Sequence, residues 1–225
     1  MTTEIIHDLA EYIVEGLKGA VTSYELVGQD IVLTAEKDSI IDVLHFLRDE
    51  RQCGFKTMID LFGVDYPDRP KRFEVIYNLL SLSENQRLQV KVPLAENESI
   101  DSAIDVYSAA GWYEREVWDM YGIYFNNNPD LRRILTDYGF EGHPLRKDFP
   151  LTGYVELRYD NELKRVVYEP VELTQDFRRF DFLSPWDGMT DAMLPGDEKA
   201  PAEHAPGYDY KETVARVAEK GRKDG

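Results

Sequence analysis

Glu114, Arg115, Glu116 and Asp119 place three carboxylates and a guanidinium within six residues. Carboxylates so close together can serve as a general acid and base, provided that two of them converge on one reacting atom and a third group orients them. Tyr113, Val117, Met120 and Tyr121 recur at the spacing of one helix face, so this stretch is a helix, with Gly122 as its stop. On a helix, residues 114 and 116 point to different sides, and no third group orients them. A structural ion-pair network across an interface suits the cluster better than catalysis. Within the helix, Arg115 and Asp119 are four apart and able to pair.

Downstream, Arg132, Arg133, His143, Arg146 and Asp148 supply more charge, and Tyr138 with His143 suggests quinone chemistry. The chain has 14 tyrosines, so one tyrosine near a histidine is not specific. The run Gly139-Phe140-Glu141-Gly142 is no phosphate cradle, because it lacks a lysine and a strand-to-helix context. Guanidinium groups suit planar, bidentate pairing with carboxylates at protein interfaces. Arg132, Arg133 and Arg146 are therefore expected to act in assembly.

The elements that position these residues follow from periodicity. Glu4 to Lys18 reads as a helix with Ile5, Leu9, Ile13 and Leu17 on one stripe. Two short strands, 21 to 27 and 30 to 35, flank Gly28-Gln29, and a second helix runs to Glu50, capped by Asp38 or Ser39. Strands are expected at 55 to 64, 72 to 83 and 87 to 94, the last alternating with Leu88, Val90, Val92 and Leu94 on its buried face. A helix capped by Ser99 and running to Ala110 is expected to precede the charged helix. The fold class is α+β, a mainly antiparallel sheet with helices packed on one face, followed by a long extended C-terminal arm.

The domain is expected to span 1–125 and the arm 126–225. After Gly122, Pro129, Gly139, Gly142, Pro144, Pro150 and Gly153 recur too often for long elements. Exceptions are a short helix over 130 to 136 capped by Asp130, a hairpin of 153 to 160 with 164 to 173, and one short C-terminal helix. A segment this long needs an order-giving partner. Phe177, Arg178, Arg179, Phe180, Phe182 and Trp186 form an aromatic and basic patch beyond it.

Composition narrows the function classes. The net charge of −17 argues against nucleic acid and against anionic lipid. Residues 1 to 110 hold 20 acids and 10 bases, whereas 128 to 160 hold 6 acids and 5 bases, so the arm is the nearly neutral part. A single cysteine, Cys53, and four scattered histidines provide neither an iron–sulfur ligand set nor a metal-binding spacing. No apolar run approaches the roughly 20 residues of a bilayer span. The acidic N-terminus, MTTEIIHDLAEY, resembles neither a signal nor a transit peptide.

The run Glu114, Arg115, Glu116, Asp119, then Arg132, Ile134 and Leu135, resembles the signature of the 30 kDa subunit, or C subunit, of respiratory complex I (NADH:quinone oxidoreductase). That pattern usually carries His where this chain has Asn128, which removes a titratable group there. Gly142 to Pro150, Glu156 to Asp160 and Gln175 to Phe180 are similar to the family as well. The resemblance implies a non-redox structural subunit of the peripheral arm of a proton-translocating enzyme. It would lie beside the large D subunit, which with the B subunit lines the quinone site, and brace that module through its arm. NADH, flavin, iron–sulfur clusters and quinone would all be handled by partner subunits. The implied location is the cytoplasmic side of a bacterial inner membrane, or the matrix side for a processed mitochondrial chain. Two alternatives remain: a homologous subunit of a related membrane-bound hydrogenase or ferredoxin-type complex, and a stand-alone carboxylate hydrolase using Glu114 and Glu116.

Overall fold

A computed structural model describes residues 3–175 of the chain. Met1–Glu172 forms one compact unit. The aromatic and basic patch at 177 to 186 and the expected C-terminal helix lie outside the described residues.

The fold begins with α1 (Thr3–Gly16) and a hairpin of β1 (Val21–Val27) and β2 (Asp30–Ala35). A 3₁₀ turn at Lys37–Ser39 leads into α2 (Ile40–Asp49). Ser39 takes the N-cap position of this helix, one of the two expected, but makes no side-chain cap bond there. The long strands β3 (Thr57–Asp65), β4 (Phe73–Ser81) and β5 (Gln86–Leu94) follow as an antiparallel meander. β2 then pairs in parallel with β5, so the five-stranded sheet has the order β1-β2-β5-β4-β3 and is mixed. Three of its four pairings are antiparallel.

The α+β class holds. Register places Ile31 and Leu33 beside Leu88 and Val90, and these beside Leu79 and Tyr77, all on one sheet face. That face packs against Ile6, Ala10, Ile13 and Leu17 of the first helix and its exit, and against Ile40, Val43, Leu44 and Leu47 of α2, in one continuous core. The stripe on α1 thus starts one residue later than expected, and Ile5 is exposed. The reason is the helical period: spacings of 4, 3 and 4 keep 6, 10, 13 and 17 on one line, whereas a strict spacing of four drifts around the helix.

The expected helix from Ser99 to Ala110 is absent. Ser99–Asp101 is instead a short strand, β6, paired in parallel with β7 (Tyr124–Asn126), and turns fill the gap to α3 (Ala110–Tyr121). Ile100 and Phe125 bury their side chains in this pairing, which outweighs the capping propensity of Ser99. Ser102 and Ala103, freed from a helix, turn their polar groups toward α3.

α3 lies across β3, and the contact is close at Gly63. A Cβ built there would come within 2.8 Å of the Tyr121 ring. A ring between a helix and a sheet has little room to yield, so Gly63→Ala should lower unfolding stability by about 1 to 3 kcal/mol. Chemical denaturation of the purified chain measures this. Tyr121→Leu in the same chain should restore part of the loss, since the clash is with the ring.

Candidate functional site

α3 carries the charged cluster, and the structure divides its members sharply. Glu114 and Asp119 are fully buried, while Glu116 is exposed. The pair imagined for acid–base chemistry therefore shares no site. Arg115 does not pair with Asp119; its Nε and Nη2 donate to the carbonyls of Arg132 and Arg133 at 3.1 and 3.0 Å.

Asp119 is the centre of a clamp. Its Oδ2 accepts the consecutive backbone amides of Ile134, Leu135 and Thr136 at 3.0, 2.7 and 2.9 Å. Its Oδ1 accepts the Thr136 hydroxyl at 2.6 Å and Arg133 Nη1 at 2.8 Å. Burial alone would raise the pKa of this carboxyl, but the Thr136 hydroxyl and amide, the Arg133 guanidinium and the Leu135 amide together hold it far below the usual carboxylate range. The expected short helix over 130 to 136 does not form for the same reason. Its amides turn to the Asp119 carboxylate rather than to carbonyls four residues back, so the strand of chain wraps an anion.

The clamp continues toward the sheet. His143 Nδ1 donates to the Asp119 carbonyl at 3.0 Å, with its ring edge-on to Trp118, and burial lowers its pKa. The Leu145 amide bonds the Met120 carbonyl and Arg146 Nε bonds that of Tyr121, so the last carbonyls of α3 are satisfied by the segment itself. Gly122 closes the helix at φ 76°, and a Cβ there would meet His143 at 2.5 Å. Conformation and space both demand glycine at this turn.

A second anchor lies at the end of β3. Arg72 grips Asp65 with two bonds of 2.7 and 2.9 Å, and Asp65 also accepts the Lys147 amide at 2.7 Å. Asp148 pairs with Arg72 at 3.1 Å, and Glu96 reaches both Arg72 and Arg146. The Arg72 guanidinium, acting against burial, holds Asp65 below its ordinary pKa. Sequence reading missed Asp65 and Arg72. They flank the turn over 66 to 70, and an acid and an arginine on either side of a turn between paired strands are the available signal.

Glu114 makes the third anchor. It accepts the Ser102 hydroxyl, the Ala103 amide and Asn128 Nδ2, each at 2.7 Å. These three donors are neutral, and burial still raises the Glu114 pKa. Asn128 thus supplies an uncharged N–H donor where the resembled pattern usually carries His. Ser102 joins the site only because the expected helix gives way to β6.

The segment from 127 to 149, expected to be part of a partner-wrapping arm, is therefore tied to the domain's own helix and sheet. Of the arginines expected to pair across an interface, Arg133 and Arg146 find their partners within the chain, and Arg132 pairs at the surface with Asp130. Beyond it, β8 (Val155–Asp160) and β9 (Arg165–Pro170) form the expected antiparallel hairpin. Cys53 is buried and its thiol is pushed up to about 12 by burial, so it is an inert core residue. Among the described residues, no group of three or more His, Cys, Asp or Glu is placed to hold a metal ion, and no helix is long and apolar enough to cross a membrane.

An α+β domain whose charged helix fastens a long loop by its buried acids is the class of fold defined here. Residues 33–155 match the family described as the respiratory-chain NADH dehydrogenase 30 Kd subunit. The C subunit of NADH-quinone oxidoreductase from Sinorhizobium medicae (strain WSM419) is 61% identical over 198 residues, covering 88% of this chain and 98% of that protein. Its counterpart from Paramagnetospirillum magneticum (strain ATCC 700264 / AMB-1) is 59% identical over 199 residues, 88% of this chain and 99% of that one. A chain in the solved structure of the membrane-bound sulfane sulfur reductase, an archaeal respiratory membrane complex, superposes with a TM-score of 0.56 at 25% identity, covering 64% of this chain and 85% of that one. The chain belongs to the 30 kDa subunit family of respiratory-chain NADH dehydrogenase. Its curated relatives are subunits of an oxidoreductase complex.

Two outcomes are expected from the clamp. Asp65 and Asp119 have lowered folded pKa values, so their stabilisation is complete above the unfolded carboxylate range near about 4 and is lost as pH falls through the depressed values. Amides of Ile134, Leu135 and Thr136 should stay protected from hydrogen exchange well below that range, and Asp119→Asn should remove the protection at neutral pH, at a cost of about 3 kcal/mol. Asn128→Asp should place a second carboxylate on Glu114. It should destabilise at pH 7 by about 2 kcal/mol and recover as the pH is lowered and one of the two acids protonates, a sign opposite to that of Asp119. Thermal unfolding of the wild type and the two variants from about pH 2 to 8 distinguishes these.

Proposed function

We propose that this chain is a non-redox core subunit of the peripheral arm of proton-translocating NADH:quinone oxidoreductase, bracing the quinone-reducing module. The large D subunit is its main neighbour, with the B subunit next to it. The observation that supports this reading is the engagement of the signature acids: Glu114 and Asp119 are buried and saturated by donors of their own chain, which suits a rigid scaffold and leaves neither acid free to meet a substrate. NADH, flavin, iron–sulfur clusters and quinone belong to the partner subunits on this proposal. The chain sits peripherally, on the cytoplasmic side of the membrane. Its acidic surface faces solvent and the segment after residue 126 faces the neighbours.

The related sulfane sulfur reductase complex favours a second reading, in which the chain serves a homologous respiratory assembly with another electron acceptor. The identity to the quinone-enzyme relatives over nearly their full length supports the first reading instead. Native purification through a tag on this chain tests the choice. Co-purification of NADH-dependent quinone reductase activity is expected, and its absence from an intact complex containing the chain overturns the reading. Asp119→Asn should lower the amount of assembled complex severalfold, while quinone reduction per assembled complex, normalised to a redox centre of a neighbouring subunit, stays within about twofold of normal. A normal amount of complex with a collapsed rate per complex would move the clamp from scaffold to mechanism.

A further inference from the structure

The hairpin β8–β9 is amphipathic in the wrong sense for a free surface. Register places Val155, Leu157 and Tyr159 opposite Pro170, Tyr168 and Val166, so one face of the ribbon is wholly apolar or aromatic. Glu156, Arg158, Asp160, Glu169 and Arg165 share the other face with Val167. The apolar face is the exposed one: Val155, Leu157, Tyr159, Val166 and Tyr168 are each 53 to 58% accessible. On the charged face Glu156, Asp160, Val167 and Glu169 are half-buried while Arg158 and Arg165 are exposed, and Arg158 is paired with Glu169 at 2.9 Å. Among the described residues no third strand joins the ribbon. A two-stranded hairpin with its apolar face in water is marginal by itself.

Three occupants from outside the chain are open to such a face, and the molecule's charge and area choose among them. An anionic membrane surface is disfavoured by a net charge of −17 and by the acids that line the ribbon's other side. A second copy stacked face to face would bury, from six half-exposed side chains of this size, on the order of 500 Å² per partner, short of the roughly 800 Å² of a standard stable interface. The patch is suited to be one part of a larger heteromeric contact, and its tyrosines are of the type enriched at the centres of such contacts. We infer that the apolar face of the β8–β9 ribbon docks on an uncharged, apolar strip of a neighbouring subunit, with the charged face turned to solvent. This rests on the proposal that the chain is a subunit of the quinone oxidoreductase.

The ribbon's attitude is set from within the chain. Tyr168 donates its hydroxyl to Asp137 Oδ2 at 2.6 Å, and Asp137 directly follows Thr136, the last residue of the Asp119 clamp. The clamp thereby positions the docking face relative to the domain.

Placing a benzoylphenylalanine photocrosslinker at Val166 in the full chain, within the assembled complex, identifies what covers the face. A crosslink to another subunit is expected. A crosslink to a second copy, a crosslink to residues 173–225 of the same chain, or none at all in an intact complex overturns the inference. In parallel, Leu157→Glu should reduce incorporation of the chain into the complex about tenfold, whereas Arg165→Glu on the opposite face should leave it within about twofold; equal incorporation of both variants also overturns it. If Leu157→Glu fails to fold, as judged by circular dichroism, the crosslink decides alone. Failure of the wild-type chain to co-purify with any quinone oxidoreductase would sink the functional proposal itself, and is distinct from a wild-type complex in which Val166 crosslinks to nothing.

Discussion

A buried carboxylate must be given back what water gave it, and that requirement at Asp119 organises the second half of this chain. Removing an ion from water costs several kcal/mol unless charge and hydrogen bonds replace the solvent. α3 cannot supply them, because its own amides are spent in the helix. The donors come instead from residues 133 to 136, three consecutive amides, a hydroxyl and a guanidinium, all drawn to one side chain. The chain from 127 to 149 has few apolar side chains to bury, and ordering each backbone residue costs roughly 1 to 2 kcal/mol. Charge-assisted hydrogen bonds to a buried anion are the interaction strong enough to order it.

The two buried acids of α3 show how donor type decides the outcome. Asp119 has a cation among its donors and its pKa falls; Glu114 has three neutral donors and its pKa rises. Glu114 lies beside the β6–β7 pairing, where Ser102, Ala103 and Asn128 come from both sides of the short sheet. It joins the start of the loop to the domain, Asp119 holds the middle, and Asp65 holds the end through Lys147 and, by way of Arg72, Asp148. Three acids at three points leave the loop no freedom to act as a free arm over this range.

The domain was legible in the sequence wherever hydrophobic periodicity spoke for itself. α2, the first hairpin, the meander and α3 announce their faces by spacing, α1 does so with its stripe one residue off, and Gly122 announces the end of α3. The failures are at Ser99 and at Asp130, where a good capping residue suggested a helix. In each case a contact distant in sequence prevailed: the β6–β7 pairing across more than twenty residues, and the Asp119 carboxylate for the amides of 134 to 136. Local propensity carries no information about such partners. The same blindness explains the arginines. Their number was readable, but Asp119 as the partner of Arg133 and Glu96 as that of Arg146 became visible only when the loop was folded back on the domain.

This arrangement also explains how a chain with a fully engaged signature can serve an assembly. Arginines spent on internal pairs do not themselves recognise a neighbour. They fix the backbone that presents other groups, and besides charged side chains such as Glu141 and Lys147 these include exposed apolar ones: Leu135, Tyr138, Leu151, Tyr154 and the face of the β8–β9 ribbon. Charge gives the loop its shape, where geometry matters and desolvation is already complete. Apolar surface is left for contact, where shedding water is itself favourable and no buried ion has to find its counterpart in another subunit. A chain built with the roles reversed would strand charges whenever its partner was absent. On the reading proposed above, this division of labour leaves the loop ordered by the chain's own contacts before a partner is met.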